Sequence, residues 1–372
     1  MGVNEESFVG VIHSGEGGAV SRIGLKIIQF ITSSLCGGLA IFGSDGLLVS
    51  SAKAKGICCR VAQHNGFGSG IFRDAVNAAK AELQDLRPAV LYANSVAASA
   101  WAVAGKQLGW KVIIHVYELD SELMMLLHAG VTCIDVCAVA DGVVVSGEGV
   151  VSSLRRCLGY VPDVVVDAGV LFDDSEIGKR AKEEVCAPWL FGRRYVRSTR
   201  KLITMWGKAC FRNGIDIFVE MAQALPEHDF LWIGTWTEDA DHTLSANRVA
   251  ADNLFNFFCT GKIDNPYPFI AMCDLFTLTA RQTKNPTDLA ELTVLNTPMV
   301  CFSASLDNWM VLPGAFYVLH GAPSVDRLIG FVSLAFAEDR IRAVIGPNPL
   351  LKHDTQAGLA RLFEAMRTRN FW

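Results

Sequence analysis

A chain of 372 residues, 51% of them hydrophobic and 19% charged, carries enough apolar surface for two cores of similar size, which excludes a disordered chain and a single small domain. The net charge of −5 is unevenly placed, with 12 basic and 18 acidic residues up to Gly178 and 21 and 20 beyond it, so the first half offers no broad basic face to nucleic acid or anionic lipid. The 11 cysteines are odd in number and include no C-x-x-C pair, which fits neither a disulfide framework nor a zinc site; they read as small core residues in a reducing compartment.

The amino-terminal MGVNEESFVG is acidic and lacks the basic and apolar regions of a signal peptide, and Glu6 stands where a myristoylation pattern needs Ser or Thr. A first strand is predicted over Phe8–Ile12, then the loop HSGEGGA and an apolar-periodic helix from Val20 to Thr32. The uncharged run Ile27–Ser44 holds Gln29, Thr32, Ser33, Ser34 and the Gly37-Gly38 pair, so it reads as helix, turn and strand (Leu39–Phe42) rather than a membrane span. A cytoplasmic protein is expected.

The turn GSDG leads to a helix over Leu47–Lys55 and a strand over Ile57–Ala62. Helix Ile71–Leu86, strand Ala89–Tyr92, helix Ala97–Leu108, strand Val112–His115, strand Asp141–Val145 and helix Gly147–Leu158 follow. The strands are near-continuous apolar runs, the pattern of strands covered by helices on both faces. Their alternation with helices predicts a doubly wound parallel α/β unit.

The segment Asp173–Thr199, with its charges, Pro188 and Gly192, is the expected boundary, and the basic cluster Arg193, Arg194, Arg197, Arg200 and Lys201 reads as a solvated linker. The pattern restarts with strand Lys201–Met205, helix Ile215–Ala224 and strand Phe230–Gly234. Asn253–Phe302 then reads as strand, polar turn, helix, strand, loop, helix and strand. After the loop Gly346–Asp354 comes an amphipathic helix, Thr355–Arg369. The division is therefore a Rossmann-like domain over 1–188, a second over 189–352, and a helix in 353–372 that returns toward the first.

HSGEGGA (His13 to Ala19) is a glycine-rich strand-to-helix turn whose backbone N–H groups could approach a phosphate, although such turns are often glycine-rich for backbone reasons alone. As a dinucleotide fingerprint it fails, because Val20 occupies the third glycine position and Asp45 belongs to the GSDG turn. A nicotinamide oxidoreductase is thereby set aside. No histidine cluster suggests a metal.

Taken in order along nearly the whole chain, the segments resemble the retaining group-one (family four) glycosyltransferases of the GT-B type. HSGEGGA resembles their first loop, and IFGSDGLLVSSAKAKGICCRVA the unit that follows. RPAVLYANSVAASAWAVAGKQLGWKVIIHVYELD resembles the segment that ends in "H-x-H-E", and ADGVVVSGEGVVSSL the unit before the crossover. WGKACFRNGIDIFVEMAQALPEHDFLWIG is similar to the "G-R-x-x-x-K-G-x-D" segment, and CTGKIDNPYPFIAMCDLFTL to the glycine turn beside the nucleobase. TARQTKNPTDLAELTVLNTPMVCF is similar to the stretch with two acids eight positions apart.

The resemblance implies two facing Rossmann-like domains with a cleft between them, and transfer of a sugar from a nucleotide diphosphate sugar to a glycan or lipid-linked acceptor with retention and without a metal. It implies a role in surface polysaccharide assembly, with contact at the inner membrane face. Lys208 and Arg212 would sit on the diphosphate, where cations offset charge that grows as the sugar departs. Gly261, Lys262 and Ile263 would lie against the nucleobase and Glu291 on the ribose, unless Glu291 is a plain helix-start carboxylate. Gly17 and Gly18, with His115 and Glu118 as catalytic residues, would face acceptor and sugar; a buried or capping role is the alternative for the last two.

The pattern is incomplete. Asn213 stands at the family's lysine, Thr283 at its first acid, Asn296 at a glycine, Asn308 at a glutamate and Tyr117 at the second histidine. Four of these lie on the donor side, so a catalytically degenerate GT-B protein that acts as scaffold or partner subunit is the alternative.

Overall fold

The computed structural model describes residues 8–16, 18–35, 37–63, 71–87, 90–133, 135–159, 165–167, 174–183, 189–190, 193–194, 198–236, 242–281, 286–303, 316–321, 323–337 and 355–368. Gly17, Thr283, Asn308, Arg197 and the loop Gly346–Asp354 lie outside them. The chain divides into two compact units, Met1–Phe172 with His353–Trp372, and Asp173–Lys352.

The first unit runs β1 (Phe8–Ile12), α1 (Ala19–Leu35), β2 (Leu39–Phe42), α2 (Leu47–Ala54), β3 (Cys59–Val61), α3 (Phe72–Leu83) and β4 (Val90–Asn94). It continues with α4 (Ser99–Gln107), β5 (Lys111–Val116), α5 (Asp120–His128), α6 (Val136–Val139), β6 (Gly142–Val145), α7 (Glu148–Leu158) and β7 (Val165–Asp167). All strand pairs are parallel, in the order β3-β2-β1-β4-β5-β6-β7.

The second unit holds α8 (Asp174–Arg180), the two-residue strands β8 (Trp189–Leu190) and β9 (Arg193–Arg194), β10 (Leu202–Trp206), α9 (Ile215–Ala224), β11 (Asp229–Ile233) and α10 (His242–Asn253). Then come β12 (Phe257–Cys259), α11 (Tyr267–Ala271), β13 (Leu275–Leu278), α12 (Pro286–Val294), β14 (Met299–Phe302), β15 (Phe316–Leu319) and α13 (Val325–Ala337). Its six-stranded parallel sheet follows the same plan, β12-β11-β10-β13-β14-β15. The last helix, α14 (Thr355–Thr368), belongs to the first unit, where Leu359, Leu362 and Met366 are buried and Phe363 meets Phe30 of α1 edge to face at 5.9 Å.

Both sheets are therefore doubly wound, and in each the order reverses between the first strand and the fourth. At such a point neighbouring crossovers leave on opposite faces, so the carboxyl-end loops part and open a crevice. Apolar runs bury on both faces: every residue of β1, β4 and β11 is buried. In the second unit Phe218 meets Phe230, Trp232 and Phe257 edge to face at 5.3, 5.4 and 6.0 Å, each pair adding about 0.5–1.5 kcal/mol to area burial.

Several elements depart from the sequence reading. Helices α5, α10 and α13 and strand β15 are not among the predicted elements; α10 is largely polar, and α13 is apolar at too many positions for a clean helical period. Arg200 and Lys201 are not a solvated linker. Arg200 pairs with Asp229 at 3.1 Å, donates to the carbonyls of Pro226 and Glu227 and lies over the Phe255 ring, while Lys201 pairs with Asp274 at 3.3 Å. They secure the amino-terminal edge of the second sheet. Cys58 is exposed, against the core reading, whereas Cys137, Cys259 and Cys301 are buried as free thiols.

Candidate functional site

In the first unit the switch point lies between β1 and β4. The turn after β1 packs backbone to backbone on the turn after β2: Gly15 N–H donates to Ser44 Oγ (3.1 Å) and Leu48 N–H to the Gly15 carbonyl (2.9 Å). A Cβ at Gly15 would overlap the Ser44 carbonyl, and one at Gly46 the Gly15 carbonyl. These glycines serve close packing of two turns. Gly18, by contrast, is exposed, with open space where its Cβ would be.

His115 is the penultimate residue of β5 and is fully buried, as is its neighbour Tyr117, whose ring stacks on it at 4.0 Å. Its Nδ1 is 2.5 Å from the Tyr92 hydroxyl and 3.0 Å from that of Tyr117. The Tyr117 hydroxyl donates to Asn94 Oδ1 (2.9 Å), and Asn94 Nδ2 donates to the Val20 carbonyl of α1 (2.9 Å). Helix α1 comes this close because Gly24 faces Asn94, where a Cβ would overlap the amide. Burial pushes the His115 pKa down to about 3, so the ring is neutral. His115 Nε2, His13 Nδ1 and Ser146 Oγ are buried and hydrogen-bond to none of the described residues.

Glu118 is 8% exposed, and burial raises its pKa against the hydrogen bonds that lower it. It accepts from the Ser95 hydroxyl, from Val96 N–H at 3.2 Å and from Tyr117 N–H at 3.0 Å. Ser95 holds φ at +86°, a left-handed value that a side chain adopts only under constraint, and its hydroxyl also accepts from Ala97 N–H. Glu118 thus fixes the exit of β4, while His115 belongs to the layer beneath α1; no hydrogen bond joins the two side chains.

In the second unit the switch point lies between β10 and β13. Gly207 N–H donates to the Ile233 carbonyl, Trp232 Nε1 donates to the Gly207 carbonyl (2.8 Å), and a Cβ at Gly234 would overlap that carbonyl. Gly234 N–H donates to Thr260 Oγ1 (3.0 Å), which joins the loop after β12, and Gly261 turns there at φ +67°. Lys208 and Lys262 are exposed, Arg212 is half-buried and Ile263 packs against the core.

Asn213 is 3% exposed. Its Nδ2 donates to the Lys208 carbonyl (2.7 Å), and its own carbonyl accepts from Thr279 Oγ1 (2.8 Å). Gly214, at φ +75°, lies where a Cβ would overlap the Thr279 carbonyl. Asn213 therefore ties the loop after β10 to the loop that follows β13. Arg281 adds a second tie: it forms a two-pronged pair with Asp216 at 2.7 and 2.6 Å, and its guanidinium lies 3.8 Å from the Phe211 ring centre. Arg281 escaped the sequence reading; its place just past the end of a predicted strand, two residues before Thr283, was the available signal.

Glu291 is the sixth residue of α12, not a helix-start carboxylate, and is 3% exposed. It accepts from the Tyr267 hydroxyl at 2.9 Å. Lys208, Arg212 and the Gly261–Ile263 turn thus share the carboxyl side of one sheet, with Glu291 on the helix that follows β13. Asn296 occupies the family's glycine with φ +53°, a left-handed value that asparagine tolerates. Among the described residues no three His, Cys, Asp or Glu side chains are grouped to hold a metal, and no helix is long and apolar enough to cross a membrane.

Two parallel doubly wound units of this order make the fold that of the GT-B glycosyltransferases. Among solved structures, HepE of Anabaena in complex with UDP and glucose is similar at a TM-score of 0.71 and 14% identity, over 98% of this chain and 100% of that one. A glycosyltransferase from Rickettsia africae is similar at 0.66 and 12%, over 98% of both chains. The lipopolysaccharide outer core galactosyltransferase WaaB, in its apo form, is similar at 0.62 and 14%, over 97% of this chain and 99% of that one. No family model and no curated protein matches the sequence.

Proposed function

We propose that the protein is a retaining glycosyltransferase that moves a hexosyl group from a uridine diphosphate sugar to a glycan or lipid-linked acceptor of a surface polysaccharide. The observation that carries the reading is the second unit's switch point, where exposed Lys208, Arg212 and a glycine-shaped nucleobase turn share one loop edge on a GT-B fold. The choice of uridine follows HepE, which was solved with UDP-glucose, and the polysaccharide acceptor follows WaaB.

Lys208 and Arg212 supply positive charge for the leaving diphosphate, and Glu291 binds the ribose hydroxyls. The glycine-rich loop that holds exposed Gly18 serves acceptor and sugar in the first unit. His115 and Glu118 serve that side by holding α1 and the exit of β4 in place, through the Tyr92, Tyr117 and Asn94 set and through Ser95 and Val96. Lipid-linked acceptors would bring the protein to the inner membrane face as a peripheral partner.

The test is thermal unfolding of the whole chain against UDP, GDP, ADP and their sugars. Binding to the folded state raises the midpoint, by about 2.7 kcal/mol of stability at a hundredfold excess over Kd. UDP or its sugars should do so, and Glu291→Ala should weaken the effect. No shift with any nucleotide would overturn the proposal in favour of a GT-B scaffold.

A further inference from the structure

The proposed ribose carboxylate does not stand alone. Glu291 Oε2 accepts from the Tyr267 hydroxyl at 2.9 Å, and both side chains are buried, with Tyr267 1% exposed on α11. A buried carboxylate needs such a donor, and the donor also decides which way the carboxylate faces.

Tyr267 is itself held on two sides. Trp206, the last residue of β10, meets its ring edge to face at 6.2 Å, and the Arg180 guanidinium lies over the ring at 5.3 Å. Arg180 ends α8 and donates to the Asp264 carbonyl at 2.5 Å. Asn265 Nδ2 returns to the Arg180 carbonyl and to the Glu183 carboxylate, both at 2.8 Å. One set of contacts therefore joins the turn at Gly261–Asn265, the switch-point strand β10 and the Glu291 carboxylate.

We propose that Tyr267 is a positioning residue that orients the Glu291 carboxylate for the 2′- and 3′-hydroxyls of the donor ribose, with Arg180 and Trp206 fixing its ring. The inference rests on the reading of Glu291 as ribose ligand and goes beyond it, because it makes discrimination between ribose and dideoxyribose depend on a residue that touches neither. Tyr267→Phe removes one oxygen and keeps the packing of the ring.

The experiment is calorimetric titration of the whole chain, as wild type, Glu291→Gln and Tyr267→Phe, with UDP and with 2′,3′-dideoxy-UDP. The wild type is expected to prefer UDP. Tyr267→Phe should weaken UDP about three- to tenfold, the worth of one hydrogen bond, and leave dideoxy-UDP unchanged. Preference intact in Tyr267→Phe but lost in Glu291→Gln overturns the role of Tyr267 alone. Preference intact in Glu291→Gln, or no binding by the wild type, overturns the ribose assignment and this inference with it. If Tyr267→Phe fails to fold, Tyr267→His, whose ring stops short of Glu291, is read by the same ratio and the same outcomes.

Discussion

The two units share a strand order but place their polar and charged side chains differently at the switch points. In the first, side chains do the joining: Tyr92, Asn94, His115 and Tyr117 form one buried set beneath α1, and Glu118 binds Ser95 and Val96. In the second, glycines at Gly207, Gly214 and Gly234 bring the loops together, side chains of Asn213, Thr279, Trp232 and the Arg281–Asp216 pair tie them, and the charged ends of Lys208 and Lys262 are left at the surface. A buried polar set is rigid, and costly when one member is lost, because its partners cannot turn to water. An exposed cation outside such ties can change with little effect on folding. In the function proposed above, stability rests on the polar residues of the first switch point and ligand binding on the charges of the second.

The largest expected effect is that of Glu118→Ala. It leaves the Ser95 hydroxyl and the N–H groups of Val96 and Tyr117 without their acceptor, at a cost of about 2–4 kcal/mol. Hydrogen exchange should accelerate in β4 and β5 and stay unchanged in β10 and β11. Equal acceleration in both sheets would mean that the side-chain set does not act within its own unit.

The next effect is on pH dependence. His115 is held near a pKa of about 3, against about 6.5 in the unfolded chain. Above the unfolded value it contributes nothing; as pH falls from about 6.5 to about 3 the unfolded chain takes up a proton that the folded one does not. Stability should therefore drop by about 1.4 kcal/mol per pH unit from this residue. Glu118 acts in the opposite sense, since its raised folded pKa favours the folded state as pH falls. The readout is thus the difference between wild type and His115→Asn in urea midpoints at pH 7.5 and 5. The variant should lose less stability than the wild type; parallel losses would contradict the buried neutral ring.

The smallest effect on folding belongs to Lys208→Ala. An exposed cation contributes little to stability, so the unfolding midpoint should not move, whereas affinity for UDP should fall about tenfold. A lower midpoint with unchanged affinity would reverse the roles given to the two switch points.

Much of this was legible in the residues. Near-continuous apolar runs separated by helical stretches predict two doubly wound sheets, because strands covered on both faces have no polar side to show. The glycine positions and the order of segments mark the loops where a ligand belongs. The reading stopped at side-chain direction. Asn213 looks like a lost lysine, yet it folds inward to the Lys208 carbonyl because Gly214 is pressed against Thr279, 65 positions along the chain. The sequence offers His115 and Glu118 as catalytic or buried residues, and only the structure shows their hydrogen bonds going to Tyr92 and Tyr117 and to Ser95 and Val96.

The sequence by itself determined the alternation of strands and helices, and with it a doubly wound parallel unit in each half, since these follow from local period and the handedness of crossovers. Only the tertiary structure decided which polar side chains face inward and what they hold. Tyr267 meets Glu291 because α11 and α12, on either side of strand β13 in the chain, are brought together, and nothing in the spacing of the two residues records that.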